Sequence, residues 1–200
     1  AERCPLPFLS CMIDDCLKEG KSVQEGGAVY NFTGPQGFGI ANMADGLFAI
    51  RKLVYEEKKV SMEELKEALA WNYDKGLDVQ SASDMTEMIM KAMQKAGREV
   101  DASTAEGLLK TFIGMKPGEQ KTQRFKEIHD MIDEVPKYGN DIPEVDYFAR
   151  EVAYTYSKPL QNYHNPRGGQ FQAGLYPVSA NVPLGGQTGA TPDGRYAHTP

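Results

Sequence analysis

The sequence has no run of about 18 apolar residues, so its hydropathy predicts no membrane-spanning helix. Its first residues also lack the charged, then apolar, then small pattern of a secretory signal. The cytoplasm is therefore the expected location. Basic residues are scarce: 22 Lys and Arg stand against 28 Asp and Glu, a formal charge of −6, with no basic stripe. Phosphate backbones are bound by clustered cations, so a nucleic-acid partner is not expected. Only three cysteines occur, Cys4, Cys11 and Cys16, an odd number without Cys-x-x-Cys spacing. That pattern argues against a disulfide scaffold or a zinc site, and the three thiols read as small buried hydrophobes. The three histidines, His129, His164 and His198, lie far apart and outside any ligand spacing, so they read as surface or satisfied core side chains and no metal site is expected. Adjacent carboxylates, Asp14 with Asp15 and Glu63 with Glu64, point about 100° apart on a helix and read as solvated charges. Neither an internal repeat nor a low-complexity tract is present.

What remains is a 200-residue chain with ordinary apolar and charged fractions, enough to bury a core. Residues 8–19 can form a helix stopped by Gly20, and residues 28–32, Ala-Val-Tyr-Asn-Phe, read as a short buried strand. The glycine-rich Thr33-Gly34-Pro35-Gln36-Gly37-Phe38-Gly39 reads as an irregular structural turn. It matches neither Gly-x-Gly-x-x-Gly nor the Lys-Ser/Thr ending of a phosphate loop. Met43, Leu47, Ile50 and Val54 recur at helical spacing, and Ser61 with Glu64 forms a capping box that opens the next helix, running to about Tyr73. Asp84 with Glu87 and Ser103 with Glu106 repeat that start signal. Residues 76–134 read as a peripheral helical excursion, with Met85, Met88, Met90 and Met93 packed as core. A longer helix is predicted from Pro143, carrying Val145, Phe148, Val152 and Tyr156 on one face, with Pro159 weakening it.

The last forty residues are rich in Gly, Pro and small polar side chains, and residues 171–182 hold the only plausible strand among them. With a period of two, Gln172, Gly174, Tyr176 and Val178 share one face and Phe171, Ala173 and Leu175 the other. Neither face is solvent-like, which predicts a strand buried on both sides in an α/β architecture. Small residues let a ligand approach the backbone closely, so this segment is a candidate pocket wall with Gln172 and Tyr176 as its polar contacts.

Four stretches resemble the glycyl-radical enzymes, the family of pyruvate formate-lyase, glycerol dehydratase and choline trimethylamine-lyase. They are Gly-Gly-Ala-Val-Tyr-Asn-Phe-Thr-Gly-Pro-Gln-Gly at 26–37, Val-Pro-Lys-Tyr-Gly-Asn-Asp at 135–141, Gly-Leu-Tyr-Pro-Val-Ser-Ala-Asn-Val-Pro-Leu-Gly at 174–185, and Gly-Ala-Thr-Pro-Asp-Gly-Arg at 189–195. The resemblance implies a ten-stranded α/β barrel with helices outside, of whose later half residues 1–200 would form a part, mainly helical with few strands. It also implies a glycyl radical, installed by an activating enzyme that uses S-adenosylmethionine and an iron–sulfur cluster, and a cysteine that relays it to a small-molecule substrate. The complete protein would act as a homodimer, in the cytoplasm or inside a bacterial microcompartment.

The chain contains neither the Arg-Val-Ser/Ala-Gly-Tyr-like glycine motif nor the Gly-Cys-Val-Glu-like loop. Together with a start at Ala1 rather than Met, this reads as an internal fragment that binds no cofactor and is inactive alone. No catalytic residue is assigned within it. What the resemblance carries over is the wall: Tyr176, with Gln172 on the same predicted face, would contact the substrate. A glutamine where an arginine would favour an anion points to a neutral alcohol or polyol. The expected activity of the complete enzyme is a lyase or dehydratase cleaving C–O or C–N beside a hydroxylated carbon. Formate C-acetyltransferase is the alternative enzyme, and a non-catalytic structural module the alternative of another class.

Overall fold

In the computed structural model, residues 6–97 and 101–200 are described. They hold nine α-helices and one two-stranded parallel sheet, divided between two compact units. Unit 1 comprises residues 6–40 with Tyr147–Val178, and unit 2 comprises Ala41–Asp146 with Ser179–Pro200.

Unit 1 opens with two short helices, α1 (Pro7–Cys11) and α2 (Cys16–Glu19), where one helix was expected. Asp15, at φ 73°, interrupts them; aspartate tolerates this left-handed conformation better than most residues. Gly20 ends α2 as predicted, at φ 63°. Cys16 is buried at 2% exposure, but Cys11 is exposed, which corrects the expectation that all three thiols are buried; Cys4 lies outside the described residues.

The strand predicted at residues 28–32 does not form. Asn31 turns its side chain to Arg167 instead, donating from Nδ2 to the Arg167 carbonyl at 2.7 Å and accepting from its Nε at 2.7 Å. Side-chain bonds of this kind compete with ladder formation. Pairing begins one turn later, inside the stretch predicted to be an irregular turn. Thr33 bridges Phe171, and β1 (Gln36–Gly37) runs parallel to β2 (Gly174–Leu175), every pair separated by 138 positions. Pro35 has no N–H, so the ladder is interrupted there while its carbonyl still accepts from Gly174 N at 3.0 Å. The second strand is correspondingly shorter than predicted. It stops at Leu175 before Pro177, and Leu175 and Tyr176 are 45% and 48% exposed rather than buried on both sides. Unit 1 also holds a 3-10 turn at Val23–Glu25 and the latter part of α8 (Pro143–Leu160), in whose last turn Pro159 sits.

Unit 2 is helical. The α3 helix (Ile40–Ile50) runs on into a π-turn at Arg51–Glu56, and α4 (Met62–Ala70) starts on the predicted capping box, with Glu64 N donating to Ser61 Oγ at 3.1 Å and Ser61 N to Glu64 Oε2 at 2.8 Å. The α5 helix (Val79–Lys95) is capped by Asp78 and α6 (Ala102–Phe112) by Asp101. Asp84 and Ser103 therefore lie inside helices rather than at their starts. The α5 and α6 helices pack on each other, and the methionine stripe is only half-covered, with Met88 66% exposed, so it is not the core that its spacing predicts. The core comes from Phe48, Leu53, Val60, Leu65 and Tyr73 with Phe125, Ile128 and Ile132 of α7 (Glu119–Glu134). Within residues 76–134, the last helix is thus central to its unit. A short helix, α9 (Asn181–Gly185), opens the final segment.

Candidate functional site

Each unit joins two of the sequence stretches singled out above. In unit 2, residues 135–141 and 189–195 form one hydrogen-bonded assembly. Lys137 Nζ donates to the carbonyls of Ile132 and Asp193, both at 2.9 Å, and Asn42 Nδ2 donates to Asp193 Oδ2 at 2.8 Å. The ring of His129 places Nε2 2.8 Å from the Gly194 carbonyl oxygen and stacks on Tyr196 at 4.5 Å. Tyr73, fully buried, donates its hydroxyl to the Thr191 carbonyl at 2.8 Å. Arg195 donates to the carbonyls of Gly189 and Thr199. Burial holds the Lys137 ammonium below the usual lysine range and lifts the Asp45 carboxyl, which accepts from Tyr138 N at 2.8 Å. Most of these groups are spent on holding backbone. Among the described residues no cluster of three His, Cys, Asp or Glu could hold a metal ion. An apolar depression lined by Leu53, Val60, Leu65, Ile128, Ile132 and Pro192 is a seam in this core.

The two phenols of the assembly give it a pH signature. Burial, chiefly, lifts the Tyr73 hydroxyl far above its ordinary value, and burial with the bond to Asp74 pushes Tyr196 up to about 12. Unfolded tyrosines ionise near 10. The stability gained by keeping both phenols protonated is therefore intact below about pH 10; the Tyr196 share is lost as the pH rises through about 12 and the Tyr73 share at still higher pH. The denaturation midpoint is expected to fall steeply across that window, together with a rise in phenolate absorbance. A Tyr73→Phe, Tyr196→Phe double variant should lose this component of the fall.

In unit 1, residues 26–37 meet residues 165–176. Asn165, 5% exposed, donates from Nδ2 to the Asn31 carbonyl at 2.7 Å and to Thr33 Oγ1 at 3.0 Å, while its Oδ1 accepts from Arg167 N and Gly169 N. This buried amide fixes where the ladder starts. The Tyr156 ring of α8 then packs onto the ladder: a Cβ on Gly37 would lie 2.6 Å from Tyr156 Cε1 and 3.0 Å from Leu175 Cδ2. The Gly37 and Leu175 side of the ladder is thus its helix-covered face. The Tyr156 hydroxyl is buried and makes no hydrogen bond among the described residues.

Gln172 and Tyr176, the two side chains predicted to line a pocket, belong to the opposite face. A Cβ on Gly174 would lie 2.8 Å from Tyr176 Cε1, so the tyrosine ring leans back over this glycine. Gln172 and Tyr176 are both exposed in unit 1, and their polar heads make no hydrogen bond with other described residues. An uncharged amide and a phenol can each donate to and accept from a hydroxyl. Sequence reasoning missed Asn165 and Tyr156 as the parts that set this face. The first sits in a polar turn and the second reads as one more apolar-face residue of α8.

The family described as pyruvate formate lyase-like matches residues 1–185. A solved structure described for 1,2-propanediol dehydration in Roseburia inulinivorans is 60% identical, with a TM-score of 0.89 over 98% of this chain and 24% of that one. The B12-independent glycerol dehydratase of Clostridium butyricum, in its glycerol-bound form, is 41% identical, with a TM-score of 0.69 over 100% of this chain and 19% of its own. The probable dehydratase YbiW of Escherichia coli K12 is 36% identical over 197 residues, 96% of this chain and 19% of that protein. The chain thus spans about a fifth to a quarter of the length of these relatives. The neighbouring folds are glycyl-radical enzyme barrels, consistent with a mainly helical piece of α/β barrel. From the span of the match and the shared fold, the chain belongs to the pyruvate formate lyase-like family of glycyl-radical enzymes.

Proposed function

We propose that this chain supplies part of the substrate wall of a glycyl-radical dehydratase that removes water from a small neutral vicinal diol. The carrying observation is the uncharged, hydrogen-bonding face of Gln172 and Tyr176, set opposite the face that α8 covers. In an α/β barrel the helices lie outside, so the face turned away from α8 is the one turned to the interior. The likeness to structures described for propanediol and glycerol dehydration supports the same substrate class. The large exposed apolar side chains of unit 1, such as Phe8 at 79% and Tyr30 at 88%, support a place within a larger body rather than a free-standing module.

The radical that abstracts hydrogen would come from a glycine and a cysteine outside these 200 residues, installed by an S-adenosylmethionine iron–sulfur activating enzyme. The part of this chain is to bind and orient hydroxyl groups. The complete enzyme is read as a homodimer of the cytoplasm or of a microcompartment, and these 200 residues alone as inactive.

In the complete, anaerobically activated enzyme, Tyr176→Phe and Gln172→Ala are each expected to lower kcat/KM for propane-1,2-diol by about 10- to 100-fold, the effect of about 1.4–2.7 kcal/mol of lost hydrogen bonding. The glycyl-radical signal in electron paramagnetic resonance should be unchanged. Formate release from pyruvate and coenzyme A without dehydration of propane-1,2-diol or glycerol would overturn this reading in favour of formate C-acetyltransferase.

A further inference from the structure

Exposure alternates strictly over residues 32–38, the segment that contains the Thr33 bridge and β1. Phe32, Gly34, Gln36 and Phe38 are exposed, whereas Thr33, Pro35 and Gly37 are half-buried. Thr33 and Gly37 pair with Phe171 and Leu175, and the Tyr156 ring and the Leu175 side chain both close on the Cβ position of Gly37. The even-numbered residues of the first strand therefore lie on the face that holds Gln172 and Tyr176.

The register pairs Gln36 with Gly174. Gln172 and Tyr176 are the residues two before and two after Gly174 on that strand. From strand spacing and rise, the Cβ of Gln36 lies about 8 Å from the Cβ of each of them. Its cross-strand partner has no side chain, and the Tyr176 ring fills that space, leaning to within 2.8 Å of where the missing Cβ would be. The Gln36 amide makes no hydrogen bond with other described residues. Two free amides and one phenol thus stand at the corners of a patch floored by Gly34 and Gly174.

A vicinal diol presents two adjacent hydroxyls, each a donor and an acceptor. Gln172 and Tyr176 can engage one of them from a single strand, and a second hydroxyl needs a polar group on the neighbouring strand. We infer that Gln36 is a specificity-determining residue that takes the second hydroxyl of the diol, across the ladder from Gln172 and Tyr176. The inference rests on the proposed substrate wall. It adds that the wall is built from both strands and that the glycine-rich segment 33–39 contributes a side chain to it.

The test uses the complete enzyme, activated anaerobically, with propane-1,2-diol as substrate. Gln36→Met keeps the side-chain volume and removes both amide functions. It is expected to raise KM tenfold or more while the glycyl-radical signal and the thermal midpoint stay at the parent level. A KM within twofold of the parent, with Gln172→Ala and Tyr176→Phe impaired, overturns the role of Gln36 and leaves the wall standing. Parent-like kinetics in all three variants overturn the wall and this inference together. If Gln36→Met does not accumulate as folded protein, Gln36→Asn, which withdraws the amide by one methylene, should raise KM at least threefold; no change in that variant overturns the assignment.

Discussion

Replacing Gly169 by alanine is expected to prevent unit 1 from folding. An added Cβ would lie only 1.6 Å from the Asn31 carbonyl oxygen and 2.4 Å from its carbon, both backbone atoms with no side-chain freedom to yield. Moving residue 169 away breaks its own bonds, since Gly169 N donates to Asn165 Oδ1 at 3.0 Å and Gly169 O accepts from Asn165 N at 2.7 Å. The next carbonyl, of Gln170, accepts from Thr33 N at 3.1 Å, so the ladder would move as well. The cost is expected to exceed about 4 kcal/mol, at the far end of single-substitution effects and comparable to the whole stability of many domains. Gly168→Ala is the matched control. Its φ is +88° but its Cβ would meet nothing within 4 Å, so only left-handed strain of about 1 kcal/mol is expected. Denaturant midpoints of the two variants separate steric exclusion from backbone preference. Similar midpoints for both would show that the Asn31 carbonyl can move aside.

In unit 2 the largest effect is expected at Tyr73. It is fully buried, stands edge-on to His129 at 4.7 Å and to Tyr196 at 5.8 Å, and follows Asn72 in a rare pair of left-handed residues, φ 50° and 55°. Such a conformation costs about 1–2 kcal/mol for a bulky residue and persists because its surroundings hold it. The holding contacts are the ring packing, the hydroxyl bond to Thr191 and the Asn72 Oδ1 bond from Ala197 N at 2.8 Å. Tyr73→Ala should cost about 3–5 kcal/mol by emptying the ring site. Tyr73→Phe keeps the packing and should cost about 1 kcal/mol, because the Thr191 carbonyl loses the hydroxyl but still accepts from Gly194 N at 3.1 Å. Equal losses in chemical denaturation would mean that the hydroxyl, not the ring, holds residues 191–195.

The elements that sequence reasoning found are those whose causes are local. The capping box of Ser61 and Glu64 is complete within four residues, and Gly20 stops its helix by its own conformational freedom. Where two local signals compete, the nearer one misleads. Ser103 with Glu106 satisfies the same pattern as a true start, but Asp101 holds Thr104 N at 2.7 Å and wins by two positions. The strand at residues 36–37 was illegible for the opposite reason. Two glycines and a proline carry no strand propensity, and the pairing comes from residues 138 positions away. The same remoteness hid Gln36. Gln172 and Tyr176 could be set on one face by period two alone, whereas the face of Gln36 is visible only once the register is known. Asp15 and Asn31 mark the limit, since a helix and a strand that propensity favours both yield there to a side chain or a backbone twist.

The separation of the two strands by 138 residues also has a consequence in time. A ribosome adding about 5–20 residues per second takes roughly 7–28 s to deliver the second strand after the first. During that interval the first strand has exposed Phe32 and Phe38 and no ladder partner, the condition in which edges misassociate. Unit 2, whose first 106 residues are made in between, can collapse on its own core meanwhile. Unit 1 must close last, over a loop whose entropy it alone meets. Slowing translation is therefore harmful here chiefly before Phe171, and a holding chaperone would have most to protect in residues 26–40.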